Sequence, residues 1–102
     1  MELVVEVYIL TEKYPRSELY GLISQSRRCG VSIPSNIAEG RRRGSDKEFC
    51  HFLSISFGSG AELETQIEIA KRLSFGKNLN FSRADALLEE VMKILSVLLQ
   101  KR

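Results

Sequence analysis

The chain has 102 residues, of which 43% are hydrophobic and 27% are charged, and its formal net charge is +2. This length fits one domain, residues 1–102, with a modest core, and the composition excludes a disordered chain or a fibrous repeat. A net charge this small does not by itself indicate nucleic-acid binding. Residues 16–47, however, hold seven Lys/Arg and three Asp/Glu, a local charge of +4. The positive field is therefore concentrated on one segment.

The first residues superficially resemble a secretion signal, but they lack a basic start and are interrupted by Glu2, Glu6 and Glu12. No apolar run approaches the roughly 18–20 residues that cross a bilayer. Cys29 and Cys50 are isolated in sequence, which favours reduced thiols over a disulfide framework. We expect a soluble, cytoplasmic protein.

Residues 1–13 have a helix-like apolar period that ends at Tyr14-Pro15, although their β-branched content would also suit a strand. A second helix is predicted from Ser17-Glu18 to about Arg43, with a kink at Pro34, where an amide donor is lost. Its apolar face has steps of three or four residues: Leu22, Ser26, Cys29, Ile33, Ile37 and Gly40.

A helix stop followed by a helix start is predicted at Gly44-Ser45, because Ser45 and Glu48 form a capping-box pattern. The third helix then alternates steps of four and three, which is a heptad seam. The seam comprises Phe49, Leu53, Ser56, Gly60, Leu63, Ile67 and Ala70. Gly58-Ser59-Gly60 is either a loop that splits this helix or a place where backbones approach closely. The continuous helix is favoured because the seam keeps its phase on both sides.

Residues 76–78 are predicted to form a loop, and Ser82 with Asp85 is predicted to cap a last helix that reaches the C-terminus. Four helices with short connections predict an all-α fold, an up-down-up-down antiparallel four-helix bundle.

The basic residues divide on a helical projection. Arg27, Arg28, Arg41, Arg42 and Lys47 are candidate nucleic-acid contacts, although such a charge run is also typical of a solvated face. Arg43 differs, because it follows Glu39 by four residues in the favourable acid-then-base order.

Asn36 lies near the edge of the apolar face, where a polar side chain needs partners. Ser59, Glu62 and Gln66, in the polar middle of the third helix, are the predicted partners. One interpretation is a polar layer that fixes helix register. The other is a subunit interface or ligand site, formed by Asn36, Glu39, Arg43, Ser59, Glu62 and Glu64.

Catalytic and metal-binding patterns are weak. His51 is the only histidine, and it points about 100° away from its neighbour Cys50 on a helix. Glu62 and Glu64 project to different sides. No phosphate-cradling glycine motif is present. We expect no enzymatic activity, no metal and no cofactor.

The stretch IPSNIAEGRRRGSDKEFCHFLSISFGSGAELETQ, residues 33–66, together with LTEKYP, residues 10–15, resembles the signature of a bacterial family. Its members are four-helix bundle proteins encoded in intervening sequences of the 23S ribosomal RNA gene. The matching motif positions are Asn36, Glu39, Gly40, Arg43, Ser59 and Glu62, whereas Arg41 and Arg42 match only the family's basic character.

The resemblance implies a four-helix fold, a homopentamer and no catalytic activity. It also implies kinship with accessory proteins of diversity-generating retroelements, which bind nucleic acid and a reverse transcriptase. Such relatives have several residues ahead of the position of Met1, so the chain is expected to start inside its first helix. The sequence thus predicts a homo-oligomer that binds structured RNA or other nucleic acid. The alternative is a protein-binding scaffold, for example for a reverse transcriptase, without nucleic-acid contact.

Overall fold

The computed structural model of the protein describes residues 1–101, and all of their regular secondary structure is helical, without strands. The α-helices are α1 (Glu2–Glu12), α2 (Ser24–Arg42), α3 (Asp46–Arg72) and α4 (Ser82–Gln100). The connections contain a 3₁₀ turn at Arg16–Glu18, a π-helical turn at Leu19–Ile23 and a second 3₁₀ turn at Ser74–Asn78. The predicted all-α fold with four helices is confirmed.

The first element is a helix rather than a strand. Leu3, Val7 and Leu10 of α1 are buried at helical spacing. Val7 packs beside Gly30 of α2, where an added Cβ would lie 3.8 Å from the Val7 side chain. The sequence of residues 1–13 was compatible with a helix or a strand. Burial of one apolar stripe at helical spacing identifies the helix.

The predicted heptad seam of α3 is confirmed as the centre of the core. Its members from Leu53 to Ala70 are buried, and Phe49 is half-buried against them. The helix continues through Gly58-Ser59-Gly60, as favoured from the sequence. Gly60 is buried, and a Cβ added there would collide with the Met92 sulfur of α4, whereas one added at Gly58 would meet open space. Of these two glycines, only Gly60 therefore leaves room that a side chain of another helix occupies.

The start of α2 differs from the prediction. The chain forms irregular turns from Arg16 to Ile23, and regular α-helix begins only at Ser24. Gly21 has φ −111° and ψ −110°, which is not a helical conformation, and the Glu18 carboxylate accepts the Leu22 N–H at 3.3 Å. The apolar spacing predicted one continuous helix, but the backbone conformation of Gly21 interrupts it.

The predicted start of α3 is confirmed. Gly44 has φ +82°, and the Ser45 hydroxyl accepts the Glu48 N–H at 3.2 Å.

The predicted N-cap of α4 at Ser82 is wrong. Phe81 is buried and is the N-cap residue of α4, and the Asn80 carboxamide oxygen accepts the Ser82 N–H at 2.9 Å. Phe81 is packed in the core, and the side chain that accepts a backbone N–H at the start of α4 is Asn80 rather than Ser82.

No helix in the described part of the chain combines the length and the apolar character that crossing a membrane requires.

Candidate nucleic-acid interface

Three basic side chains at the end of α2 and the start of α3 have no partner among residues 1–101. Arg41, Arg42 and Lys47 are exposed, and none of them makes a hydrogen bond or an ion pair within residues 1–101. We name these three residues the basic junction. Because no described carboxylate forms an ion pair with these side chains, an anion can bind them without displacing one.

Arg43 behaves differently from its two neighbours, as its spacing from Glu39 predicted. Its Nε donates to Glu39 Oε2 at 2.9 Å, and its Nη1 lies 3.9 Å from Glu48 Oε2. The guanidinium also lies 5.1 Å from the centre of the Phe52 ring. The Glu39–Arg43 pair is therefore confirmed, and Arg43 ties the end of α2 to the start of α3.

The helix junction is also packed tightly through its backbone. A Cβ added at Gly40 would lie 2.9 Å from the Phe52 Cβ and 3.4 Å from the Phe49 Cα. Glycine therefore permits α2 to lie directly on α3 at this point. The basic junction is consequently held on rigid helices rather than on a mobile loop.

The five predicted basic residues do not lie together. Arg27 is directed at α1, because its Nε donates to Thr11 Oγ1 at 2.9 Å, its guanidinium lies 4.5 Å from the Tyr8 ring centre and Glu12 is 3.5 Å away. Arg28 is exposed and donates to the Ser24 hydroxyl at 3.3 Å. Thirteen residues separate Arg28 from Arg41, which is about 20 Å along a helix. Arg27 is therefore already engaged within the fold.

One polar contact between α2 and α3 runs through Ser32, a residue that the sequence analysis missed. The Asn36 amide donates to the Ser32 carbonyl and hydroxyl, both at 2.9 Å, and the Ser32 hydroxyl lies 2.8 Å from the Ser59 hydroxyl. Asn36 thus reaches Ser59 only through Ser32. The spacing i, i+4 between Ser32 and Asn36 was the available signal, because it places both side chains on one helix face.

The structure brings together only part of the predicted polar set. Ser59, Glu62 and Gln66 line one cavity with Ser32. The Glu62 and Glu64 side chains are exposed and make no hydrogen bond or ion pair among the described residues. Glu39 and Arg43 lie at the junction, away from Ser59. Gln66 donates to the Cys29 sulfur at 3.6 Å, while its Oε1 is buried without a partner. The set is therefore not one site in a single chain.

Burial raises the pKa of the Cys29 thiol, and the nearby Glu62 carboxylate acts in the same direction. The Gln66 hydrogen bond and the Arg28 charge oppose this rise. The net effect favours the protonated thiol, which is the less nucleophilic form. Among residues 1–101, His, Cys, Asp and Glu form no group of three or more that could hold a metal ion.

An open apolar groove lies between α1, the irregular turns and α2. Its volume is about 800 Å³, and we name it the α1–α2 groove. Tyr8, Leu19, Tyr20 and Val31 line it and are all exposed, and Tyr20 keeps 91% of its surface accessible. Apolar side chains clustered in this way mark interaction surfaces more often than scattered ones do.

Together, these features define a small helical protein with a cationic helix junction and an exposed apolar groove. The chain belongs to the 23S rRNA-intervening sequence protein family, whose family model matches residues 1–97. A search of curated proteins finds no match.

Proposed function

We propose that the protein is a non-enzymatic, oligomeric nucleic-acid-binding protein whose preferred ligand is structured RNA. The observation that carries this proposal is the basic junction, in which Arg41, Arg42 and Lys47 are exposed and unpaired on rigidly packed helices. Partner-free arginines bind phosphate strongly, because the guanidinium presents several donors in a fixed plane. Arg28 adds a second, weaker contact along α2.

Phosphate contacts dominate in this mode of binding, and base sequence has little influence. Arg27 contributes indirectly, since it holds α1 against α2 rather than facing solvent. Binding therefore weakens steeply as salt concentration rises, because counterions released from the nucleic acid supply most of the affinity.

Self-assembly forms the second part of the proposal. The exposed apolar residues of the α1–α2 groove, with Asn36 at its margin, supply a surface for a neighbouring copy. A homopentamer is the assembly that the family resemblance implies. A monomer in light scattering at tens of micromolar would contradict this part.

The helices are proposed to run alternately up and down. Contacts between consecutive helices support this order, because residue numbers rise on one helix as they fall on the next. The contacting pairs are Val7–Gly30 and Thr11–Arg27 between α1 and α2, Ser32–Ser59 and Cys29–Gln66 between α2 and α3, and Gly60–Met92 and Lys71–Asp85 between α3 and α4.

Pro34 inside α2 is proposed to kink that helix. Free thiols at Cys29 and Cys50 support a cytoplasmic location.

The test is a salt titration of RNA and DNA binding by the variant Arg41→Gln/Arg42→Gln. If both arginines contact duplex phosphate, the log–log slope should fall by roughly 0.9 for each lost contact. The matched control is Arg72→Gln/Arg83→Gln, which removes the same charge from exposed arginines already paired with Glu68 and Glu2. Binding and slope equal to the parent's in the Arg41/Arg42 variant would refute the proposal and favour a protein-binding scaffold.

A further inference from the structure

A second cavity lies beside the basic junction, between the start of α3 and the end of α4. Its volume is about 790 Å³, and we name it the α3–α4 cleft. Phe49 and Leu53 of α3 and Leu98 of α4 provide apolar walls, and Leu98 leaves 38% of its surface accessible. The cleft is therefore wide enough for a flat aromatic group and has apolar surface to pack against it.

The charged residues that line the cleft are mainly cationic. Lys47 enters from the first turn of α3 and Lys101 from the end of α4, and both are exposed. Asp46 is the single carboxylate among the lining residues, and His51 adds a polar ring. A ligand that fits this arrangement has a flat apolar part and an anionic part close to it.

The cleft is continuous with the basic junction. Lys47 belongs to both, and Phe49, which forms a cleft wall, also packs against Gly40 at the end of α2. Arg41 and Arg42 follow Gly40 directly in the chain. A phosphate bound by Lys47 therefore lies at the edge of the cleft.

We propose that the α3–α4 cleft receives one unpaired nucleotide of the bound nucleic acid, an inference that rests on the proposed function. The base packs against Phe49 and Leu98, and a flanking phosphate is bound by Lys47 and Lys101. Packing of a base against an aromatic side chain tolerates any sequence, since every base has a π-face. Bases inside a duplex remain paired and stacked and do not enter, so the protein prefers a single-stranded segment or loop to a blunt duplex.

Two native cysteines provide the first test. Cys50 lines the α3–α4 cleft, whereas Cys29 lines a separate cavity with Arg28 and Gln66. Alkylation of both thiols is followed by mass spectrometry with and without a single-stranded oligouridylate. We expect the oligouridylate to slow alkylation of Cys50 severalfold and that of Cys29 much less, because Cys29 lies beside Arg28, the weaker phosphate contact. A blunt RNA duplex of the same length should protect neither thiol.

The second test fills the cleft without a change in charge. Ser54 is exposed and lines the cleft, so Ser54→Tyr should obstruct the base. We expect about a tenfold loss of affinity for the oligouridylate, the loss typical of one base-stacking contact, with duplex affinity unchanged. Ala61→Tyr is the matched control, because Ala61 is exposed on α3 about 10 Å further along the helix axis.

The outcomes separate this inference from the proposed function. Equal affinity for oligouridylate and duplex, with Cys50 unprotected and Ser54→Tyr without effect, overturns the cleft inference and leaves phosphate binding at the basic junction intact. Protection of Cys50 by polyglutamate as strong as that by oligouridylate also overturns it, because the cleft would then accept acidic chains without a base. Failure of every nucleic-acid probe to bind overturns both proposals.

Discussion

Replacement of Gly60 by alanine tests whether α3 and α4 approach each other as closely as the structure shows. Gly58 and Gly60 lie in the same helix, but the first is exposed to open space and the second faces Met92. Alanine at either position gains about 1 kcal/mol of helix propensity over glycine. At Gly60 the new methyl group also collides with the Met92 sulfur, whereas the Met92 Cε, at 3.4 Å, would be in ordinary van der Waals contact.

Overpacking of a core typically costs about 1–3 kcal/mol. Gly58→Ala should therefore raise the free energy of unfolding by about 1 kcal/mol, whereas Gly60→Ala should leave it unchanged or lower it by up to about 2 kcal/mol. The difference between the two variants isolates the collision, because the propensity gain is common to both. For a domain of this size, each kcal/mol corresponds to about 4–8 °C in Tm.

Thermal melts and urea titrations of both variants provide the measurement. A Gly60→Ala/Met92→Ala double variant then tests the cause, since removal of the thioether should relieve the collision and give a favourable coupling energy in a double-mutant cycle. Equal stabilisation by Gly58→Ala and Gly60→Ala would refute a fixed position of the Met92 side chain against Gly60. The bulkier Gly60→Leu should disrupt the fold or the assembly.

Arg43→Gln should lower Tm by a few degrees without a change in the salt slope of nucleic-acid binding, because it breaks ion pairs and a cation–π contact rather than a phosphate contact. A reduced slope at unchanged stability would contradict this. Asn80→Ala should cost about 1 kcal/mol in urea unfolding and Ser82→Ala clearly less, since Asn80 supplies the capping acceptor. Burial raises the pKa of Tyr14 from 10.0 to about 12, so the unfolded chain binds fewer protons between these values and stability falls as pH rises through that window. Tyr14→Phe should lessen this fall in Tm, and an identical pH profile would refute it.

The sequence by itself determined the last three helices and the buried face of α3, whereas it left the first element open between helix and strand. Heptad spacing identified the buried residues of α3 from Leu53 to Ala70, because that spacing returns side chains to one side of a helix. Gly44 and Ser45 marked a helix boundary for local reasons, since a positive φ and a side-chain cap involve only neighbouring residues. The Glu39–Arg43 pair is local in the same sense.

Only the tertiary structure decided which polar and basic side chains are free. Arg27 and Arg28 are adjacent in sequence, yet Arg27 is engaged by Thr11 and Glu12 of α1 while Arg28 is exposed. Ser32 links Asn36 to Ser59 because the Ser59 hydroxyl of α3 lies directly opposite Ser32 of α2.

The α3–α4 cleft and the cap of α4 were likewise outside the reach of the sequence pattern. Cys50, Ser54 and Leu98 meet around one cavity although Leu98 lies more than forty residues further along the chain. The cap at Asn80 follows from burial of Phe81 in the core. Periodicity gives the direction in which a side chain leaves its own helix, whereas its partners depend on which other helix lies opposite and at what height, and that is determined by packing of the whole core.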